Sequence, residues 1–364
     1  MAFLDTINTI TTKRIAPGVT DLVFKASPLL AFIKRNCLEK FEGGPSWQEN
    51  LMYGIQPTIA YIPGDTFSLT QQQFMTGTTV TPRYYSTPVN GFLEKLKIEL
   101  NGPQAVFDYV DAQLQNAAMS MSAKLAVSAY RHGQDLASGT TALNLRAKEI
   151  NGLEEALNDG TVVGPYGAAF GSYLGLARTG EPSKDAMKAK MTYPAANVGA
   201  GWTYAALEDG WNSCVIGQES PDLLVTTNRG MSSVKKTFQG QQRFEGASTD
   251  FGFQGIKFNG SVILQDQYCP GSEAPTAVET AALGMSALDG TAEGGYTKTA
   301  GETLWMLNTK TIKFYVSTDP LFGFGFTGFM ASPGNSVVSG RYHYCGNLTV
   351  TGVRYSRVFY GIQS

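Results

Sequence analysis

The run "NGPQAVFDYVDAQLQNAAMSMSAKLAVSAYRHG", residues 101–133, decides the architecture. Asn101 offers a side-chain oxygen to the free N–H groups of a helix start, and Pro103 sits in the first turn, where a missing N–H costs nothing. Val106, Val110, Leu114, Met121, Leu125 and Ala129 then recur at helical spacing until Gly133. The spacing predicts one helix of roughly 30 residues, about 45 Å long. Along it only Asp108, Asp111, Lys124 and Arg131 are charged. A helix with a face in water would carry more charge there, so this one is covered on several sides.

The chain on either side reads differently. Upstream, "YGIQPTIAYIPGDTF" (53–67) and "TTVTPRYYSTPVNGFLEKLKIEL" (78–100) are rich in Thr, Tyr and Val, with Pro57, Pro63, Pro82 and Pro88 among them. Such residues favour extended chain, while the prolines exclude a central sheet strand. The pattern predicts a long projecting hairpin with its tip between Pro63 and Gly77, too thin to hold a core and resting on something else. Before it come a mixed arm and the apolar "SPLLAFIKRNCLEKF" (27–41), closed by the break "EGGPSW" (42–47).

Downstream, a short helix in "INGLEEALNDG" (150–160) runs into Gly-rich turns, and a second helix spans about Thr203 to Val215. A short buried strand, Leu223 to Thr227, leads at once into a helix over Met231 to Phe238, with Asn228 at the junction as the expected N-cap. Strands follow in "GIKFNGSVILQDQYCP" (255–270), "TLWMLNTKTIKFYVST" (303–318) and "RYHYCGNLTVTGVRYSRVFYGI" (341–362). Between Pro270 and Gly301 the chain is small, acidic and low in complexity, which predicts an exposed insertion or flexible loop.

With 364 residues and 43% hydrophobic content the chain can bury a large core, yet only 16% of it is charged. Ordinary soluble domains carry about 25%. A polar, thinly charged surface fits burial against other subunits, and fits a secreted or phage-type β-rich protein equally well. The net charge of −2 is unevenly spread: within residues 1–40, Lys13, Arg14, Lys25, Lys34, Arg35 and Lys40 face only Asp5, Asp21 and Glu39, leaving that segment +3 and the remainder −5. Such an arm can face an acidic polymer, although dedicated nucleic-acid binding needs many more phosphate contacts. Cys37, Cys214, Cys269 and Cys345 are scattered, with only His132 and His343 to join them, so metal-ligand spacing is lacking and buried free thiols are expected. No run of about 18 apolar residues suits a membrane span, and the start lacks the basic-then-apolar pattern of a signal peptide.

Three motifs invite chemistry and none sustains it. "GFGFTG" (323–328) has the spacing of a dinucleotide loop, but Pro333 and Gly334 break the helix that would hold a pyrophosphate, so aromatic packing at a Gly-rich crossing is expected. "TTNRG" (226–230) lacks the spacing of a nucleophile elbow, and a Ser-His-Asp set would have to recruit His132 from a helix end or His343 from a strand. His132 reads as a helix C-terminal residue that suits the dipole. In "GLEEALNDG" (152–160), Glu154, Glu155 and Asp159 crowd together, with Glu155 and Asp159 one turn apart on an expected solvated face. No catalytic, cofactor-binding or metal residue is expected.

The succession of basic arm, projecting hairpin, long uncharged helix, Gly-rich turns and mixed domain resembles the major capsid proteins of tailed bacteriophages, the Hong Kong 97-type fold. The likeness spans nearly the whole chain and is carried most by "INGLEEALNDGT" (150–161), "SPDLLVTTNRGMSSVKKTFQGQQRF" (220–244) and "FQGIKFNGSVILQDQYCP" (253–270). The resemblance implies an α+β fold with an N-arm (1–45), an extended E-loop hairpin (46–98) and a P-domain (99–159) whose spine helix is 103–132. An A-domain (160–315) would carry the 270–301 insertion, which lies outside the family pattern, and the C-terminal strands (316–364) would return to the P-domain.

The resemblance further implies a structural protein and no enzyme, self-assembling into hexamers and pentamers of an icosahedral head around double-stranded DNA. It would be built in the host cytoplasm, with no membrane and no cofactor. Implied partners are further copies, a portal, non-specifically packaged DNA, in some cases a cement or decoration protein, and a separate scaffolding protein, since the fold-like region begins within the first few tens of residues. Gly64, Asp65, Gly77 and Arg83 would mark the E-loop as an assembly element, Lys13, Arg14 and Lys25 would face the interior, and Asn228 would cap an A-domain helix. Some relatives crosslink by Lys–Asn isopeptide bonds, which need a neutral lysine amine on the E-loop. Between Lys40 and Lys95 this chain has no lysine, and Arg83, the single cation there, stays protonated. A non-covalent shell is expected, stabilised either by contacts between copies, such as Arg83 paired to a neighbour's carboxylate, or by a separate cementing protein. Two other classes stay open: an encapsulin-like nanocompartment, disfavoured by the long arm and chain length, and a β-rich tail or adhesin protein, which leaves the long helix unexplained.

Overall fold

The computed structural model describes residues 27–56, 58–66, 73–92, 109–133, 148–178, 187–192, 203–238, 247–248, 254–293, 296–331 and 337–362. Lys13, Arg14 and Lys25 of the arm, and Asn101, Pro103 and Val106 at the start of the long helix, lie outside them. Ser27 opens α1 (Pro28–Asn36): its hydroxyl accepts from Leu30 N at 3.2 Å, and Pro28 fills the first turn. Strand β1 (Leu38–Phe41) follows, then the hairpin of β2 (Trp47–Met52) and β3 (Met75–Val80), then β4 (Arg83–Phe92). The long helix α2 (Tyr109–Tyr130) has 22 residues, about 33 Å of rod. Nearly every residue from Met121 to Gly133 is buried, whereas residues 112–120 are mostly exposed or half-buried despite carrying no charge, so the covering expected of the whole helix holds for its C-terminal half.

A one-turn helix α3 (Leu153–Ala156) leads through the small strands β5 (Ser172–Tyr173) and β6 (Leu176–Ala177) to β7 (Lys190–Thr192) and α4 (Tyr204–Cys214). Then come β8 (Leu223–Thr226), α5 (Asn228–Phe238), β9 (Ala247–Ser248), β10 (Gln254–Phe258) and β11 (Ser261–Gln265). Asn259 and Gly260, at φ 47° and 86°, form the tight two-residue turn between β10 and β11. A π-type turn (Glu279–Leu283) precedes the short pair β12 (Ala292–Glu293) and β13 (Tyr296–Thr297). Strands β14 (Glu302–Leu307), β15 (Ile312–Ser317), β16 (Gly323–Phe326), β17 (Met330–Ala331), β18 (Val337–Val350) and β19 (Arg357–Ile362) complete the order.

Two sheets organise these elements. The seven-stranded sheet runs β7-β19-β14-β8-β11-β10-β9. Leu304 and Met306 of β14, with Leu224 of β8, pack with Leu207 and Trp211 of α4 and Met231 and Val234 of α5. Their neighbours Trp305, Leu307, Leu223 and Val225 join the other core, with Leu29, Leu30 and Ile33 of α1 and Leu125 and Tyr130 of α2. Burial on both faces is why these strands read as unbroken apolar runs. The six-stranded sheet is built on β18, which pairs in succession with β17, β16 and β15 and carries all ten residues of β4 along its other edge. Pro88 is tolerated in β4 because, among the described strands, β4 pairs with β18 alone.

Asp266, buried just after β11, holds the pieces together. Its Oδ2 accepts from Ser27 Oγ (2.7 Å), Tyr130 OH (2.9 Å) and Leu29 N (3.4 Å), and its Oδ1 from Tyr268 N (2.9 Å). One carboxylate thus fastens the start of α1 and the end of α2 to the sheet. Burial pushes its carboxyl above the ordinary carboxylate range, and the bonds from Ser27, Tyr268, Tyr130 and Leu29 pull it partly back.

Several expectations change. The cap of α5 is Thr227, whose Oγ1 accepts from Gly230 N at 2.9 Å; Asn228 is already helical and exposed, because β8 ends at Thr226 and the chain turns one residue sooner. Glu154 and Glu155 are buried, not solvated. Glu154 pairs with His132 Nδ1 and accepts from Tyr166 N, both at 2.9 Å, while Glu155 accepts from Gly133 N at 3.1 Å and Asn151 Nδ2 at 2.9 Å. These carboxylates serve the chain leaving α2, and His132 meets a buried partner there in place of a wet helix end.

The described residues of 270–301 form no loose insertion either. Leu283 and Leu288 are buried, Lys124 donates to Leu283 O at 2.9 Å, Leu288 N to Gly271 O at 2.7 Å, and Gly301 N to Leu288 O at 3.1 Å. Backbone bonds hold a segment whose small side chains gave no packing signal. The C-terminal strands divide, β18 to the six-stranded sheet and β19 to the seven-stranded one.

Asp266→Ala strands the Ser27 and Tyr130 hydroxyls and Tyr268 N without an acceptor in a buried place. Urea unfolding of the subunit should show a loss of about 2–4 kcal/mol, and an unchanged midpoint would contradict the fastening role.

Candidate assembly surface

The hairpin has an anchored base and an exposed end. At the base, Trp47 stacks on Phe41 and packs at a tilt against Tyr315, with centroids 4.8 and 4.7 Å away, and Val80 opposite it is fully buried. Glu49 Oε1 accepts from Tyr315 OH at 2.5 Å and Thr349 Oγ1 at 3.1 Å, and Lys313 Nζ lies 3.9 Å from Oε2. Burial, with Glu49 beside it, pushes the Tyr315 hydroxyl upward, so it remains a proton donor. The β2–β3 pairing runs from Trp47 opposite Val80 to Met52 opposite Met75, and Tyr53 N and Gly54 N extend it to Phe74 O.

Beyond that point the described side chains face outward. Ile55 is 92% exposed, Ile62 73% and Met52 72%, and Ile59, Tyr61, Phe74 and Met75 are exposed beside them. A turn closes Ile62 to Asp65: Asp65 N donates to Ile62 O at 3.0 Å, and Ile62 N to Asp65 Oδ2 at 2.8 Å. Gly64 stands at φ 110°, which a side chain would strain. An apolar patch of this kind marks a contact surface, since burying one large aliphatic side chain is worth about 1.5–3 kcal/mol.

The four residues marked for the E-loop therefore part company. Gly64 and Asp65 shape the exposed turn, while Gly77 lies in β3 where the Gln48 side chain occupies the space of a Cβ. Arg83 is outside the projecting part: it opens β4 and donates to Gly133 O at 3.3 Å, so it serves its own chain's α2 end. Sequence reasoning missed Trp47, Glu49, Tyr315 and Thr349; the one usable signal was a lone carboxylate inside a strand of otherwise uncharged residues.

Among the described residues, the other groups singled out in the sequence are buried, paired or packed. The four cysteines are buried free thiols, and burial pushes Cys37 up to about 12 and Cys214, Cys269 and Cys345 upward too, away from the thiolate form. The His132–Glu154 pair is almost wholly out of reach of solvent. At the "GFGFTG" run, Phe324 packs on Tyr344 at 4.7 Å and Phe326 on Tyr342 at 5.0 Å, the aromatic crossing expected. Among the described residues no group of three His, Cys, Asp or Glu is placed to hold a metal, and no helix is long and apolar enough to cross a membrane.

No family model and no curated protein matches the sequence. Solved structures do. The capsid asymmetric unit of cyanophage A-1(L) superposes with a TM-score of 0.67 at 11% identity, over 99% of each chain. The holo-SrpI encapsulin complex of Synechococcus elongatus follows at 0.55 and 9% identity, over 99% of this chain and 95% of that one. The capsid of a native GTA particle matches at 0.55 and 9%, over 95% of each. The chain has the mixed helix-and-sheet fold that these phage capsids and the encapsulin share.

Replacing Ile55, Ile59 and Ile62 together by Ser should leave the melting temperature of the isolated subunit within a degree or two of the parent. Its association into larger particles, followed by sedimentation, should fall roughly tenfold or more. Unchanged association would remove the tip from the contact surface.

Proposed function

We propose that this chain is the major capsid protein of a tailed bacteriophage, assembling as hexamers and pentamers into an icosahedral head around double-stranded DNA. The observation that carries this reading is an apolar hairpin end, exposed on a subunit whose fold is that of phage capsids. Heterologous contacts around a ring let each hairpin reach the next copy, adding interface without enlarging the core. In this reading residues 47–80 form the E-loop, α2 the spine, the six-stranded sheet the P-domain and the seven-stranded sheet the A-domain. The +3 segment at residues 1–40 suits an interior position near DNA or a separate scaffolding protein, and the fold serves structure without catalysis. A portal, and in some heads a decoration protein, complete the partners.

A second reading, an encapsulin-like nanocompartment, is favoured by the encapsulin likeness over 99% of this chain. Electron microscopy of particles made by co-expression with the proteins encoded beside this chain separates them: DNA-filled or scaffolded phage heads support the first, small shells around an enzyme cargo the second. A population of monomers of 39.1 kDa alone would contradict both.

The shell is held without covalent crosslinks, since no lysine lies between Lys40 and Lys95. Particles boiled in denaturant and reductant should run as one band near 39.1 kDa. A ladder of multimers surviving that treatment would overturn the non-covalent reading.

A further inference from the structure

Asn–Gly pairs stand at residues 90–91, 101–102, 151–152 and 259–260. In such a pair the glycine nitrogen has no Cβ beside it and can reach the preceding carboxamide carbon. Residues 101–102 lie outside the described residues, and the other three pairs differ in how tightly they are held. Asn90 is exposed, but Gly91 is fixed in the β4–β18 ladder opposite Val338. Asn151 is buried with both ends of its carboxamide engaged: Nδ2 donates to Glu155 Oε1 and Oε2 at 2.9 Å, and Oδ1 accepts from Asn347 Nδ2 at 2.7 Å. The backbone carbonyls of Ser128, Ala129 and Arg131 fill the space beside Gly152.

Asn259 and Gly260 are the opposite case. They are the two exposed turn residues between β10 and β11, and beyond the chain neighbours no atom comes within 4 Å of the place where a Gly260 Cβ would stand. Among the described residues the Asn259 carboxamide makes one hydrogen bond, from Nδ2 to Glu208 Oε2 of α4 at 2.9 Å. Next to it Phe258 is buried, its ring in T-shaped contact with Tyr204 and Trp211 of α4 at 6.0 and 5.8 Å. The turn is therefore tied to α4 at one exposed polar point beside an aromatic contact.

We propose that Asn259 is a site of spontaneous deamidation, and that the change releases α4 from the β10–β11 turn. The Gly260 nitrogen gives its proton to solvent base and attacks Asn259 Cγ. The Cγ–Nδ2 bond breaks and ammonia leaves, closing a five-membered succinimide. Water then adds to one of the two ring carbonyls and opens the ring to aspartate or to isoaspartate. No electrons are exchanged, and water is the sole co-reactant. Both products lose the donor and gain a negative charge near Glu208, so an attraction becomes a repulsion. Isoaspartate also adds a main-chain methylene to a two-residue turn whose length fixes the register of its strands. The inference stands apart from the shell reading, since it rests on this turn alone.

Incubation of the purified full chain at mildly alkaline pH, followed by peptide mass mapping with isoaspartate detection, tests the site. Asn259 should convert at least about tenfold faster than Asn90 or Asn151, because the held pairs react only after local opening. Asn259→Asp reads the consequence without waiting for the reaction: amide exchange in α4 should quicken by about threefold or more. Adding Glu208→Gln, which offers a donor to the new carboxylate, should return that exchange to within about twofold of the parent. Conversion at Asn259 no faster than at Asn151 would overturn the site. Unchanged exchange in Asn259→Asp, or a quickening that Glu208→Gln leaves in place, would overturn the release of α4 through this contact.

Discussion

The buried carboxylate of Asp266 is the constraint on which the placement of the other elements depends. It takes four donors from three parts of the chain: Ser27 and Leu29 at the entry to α1, Tyr130 at the end of α2, and Tyr268 beside the sheet. Burying a charge costs free energy, and here four donors offset that cost in one geometry only. Its raised folded-state value means the proton is held more tightly in the folded protein than in the unfolded chain. The stabilisation from that tighter binding is complete below the ordinary carboxylate range and is lost as pH rises through the raised value. The orienting role rests on acceptance of hydrogen bonds. A second polar knot does the same for the six-stranded sheet: Asn347 Oδ1 accepts from Asn151 N at 2.9 Å, and its Nδ2 donates to Asn151 Oδ1 at 2.7 Å and to Thr81 O at 2.8 Å.

Around these knots the subunit divides into a packed body and a thin projection. The body has helices on the central sheet, with Trp305, Leu307 and Tyr130 fully buried between them. The hairpin has two strands, a base gripped by Trp47 and Glu49, and an end whose apolar side chains touch little of their own chain. Two strands alone are marginal in water. Such an element gains most from a partner, because contact supplies the burial its own chain does not.

Much of this was legible in the sequence where local signals and tertiary context agree. The long helix showed itself by spacing and by its lack of charge, the β10–β11 turn by Asn259 and Gly260, and the hairpin by its Thr, Tyr and Pro content. The failures share a cause. Glu154 and Glu155 look like surface residues until Gly133, Tyr166 and His132 converge on them, and no local pattern reports partners about a dozen to 22 residues away. The segment 270–301 is held by backbone bonds, which side-chain composition does not reveal. At the hairpin, the sequence indicated Gly64 and Asp65 through turn chemistry but put Arg83 on the projection, because pairing of β4 with β18 depends on residues about 250 positions away.

The central claim is that the hairpin is completed by another copy of the chain, and amide hydrogen exchange compares the two situations directly. In isolated subunits the amides of residues 53–66 should exchange fast while those of α2 from Met121 onward stay protected. In assembled particles the hairpin amides should slow by at least about tenfold, with α2 little changed. Equal exchange of the hairpin in subunits and particles would contradict the claim.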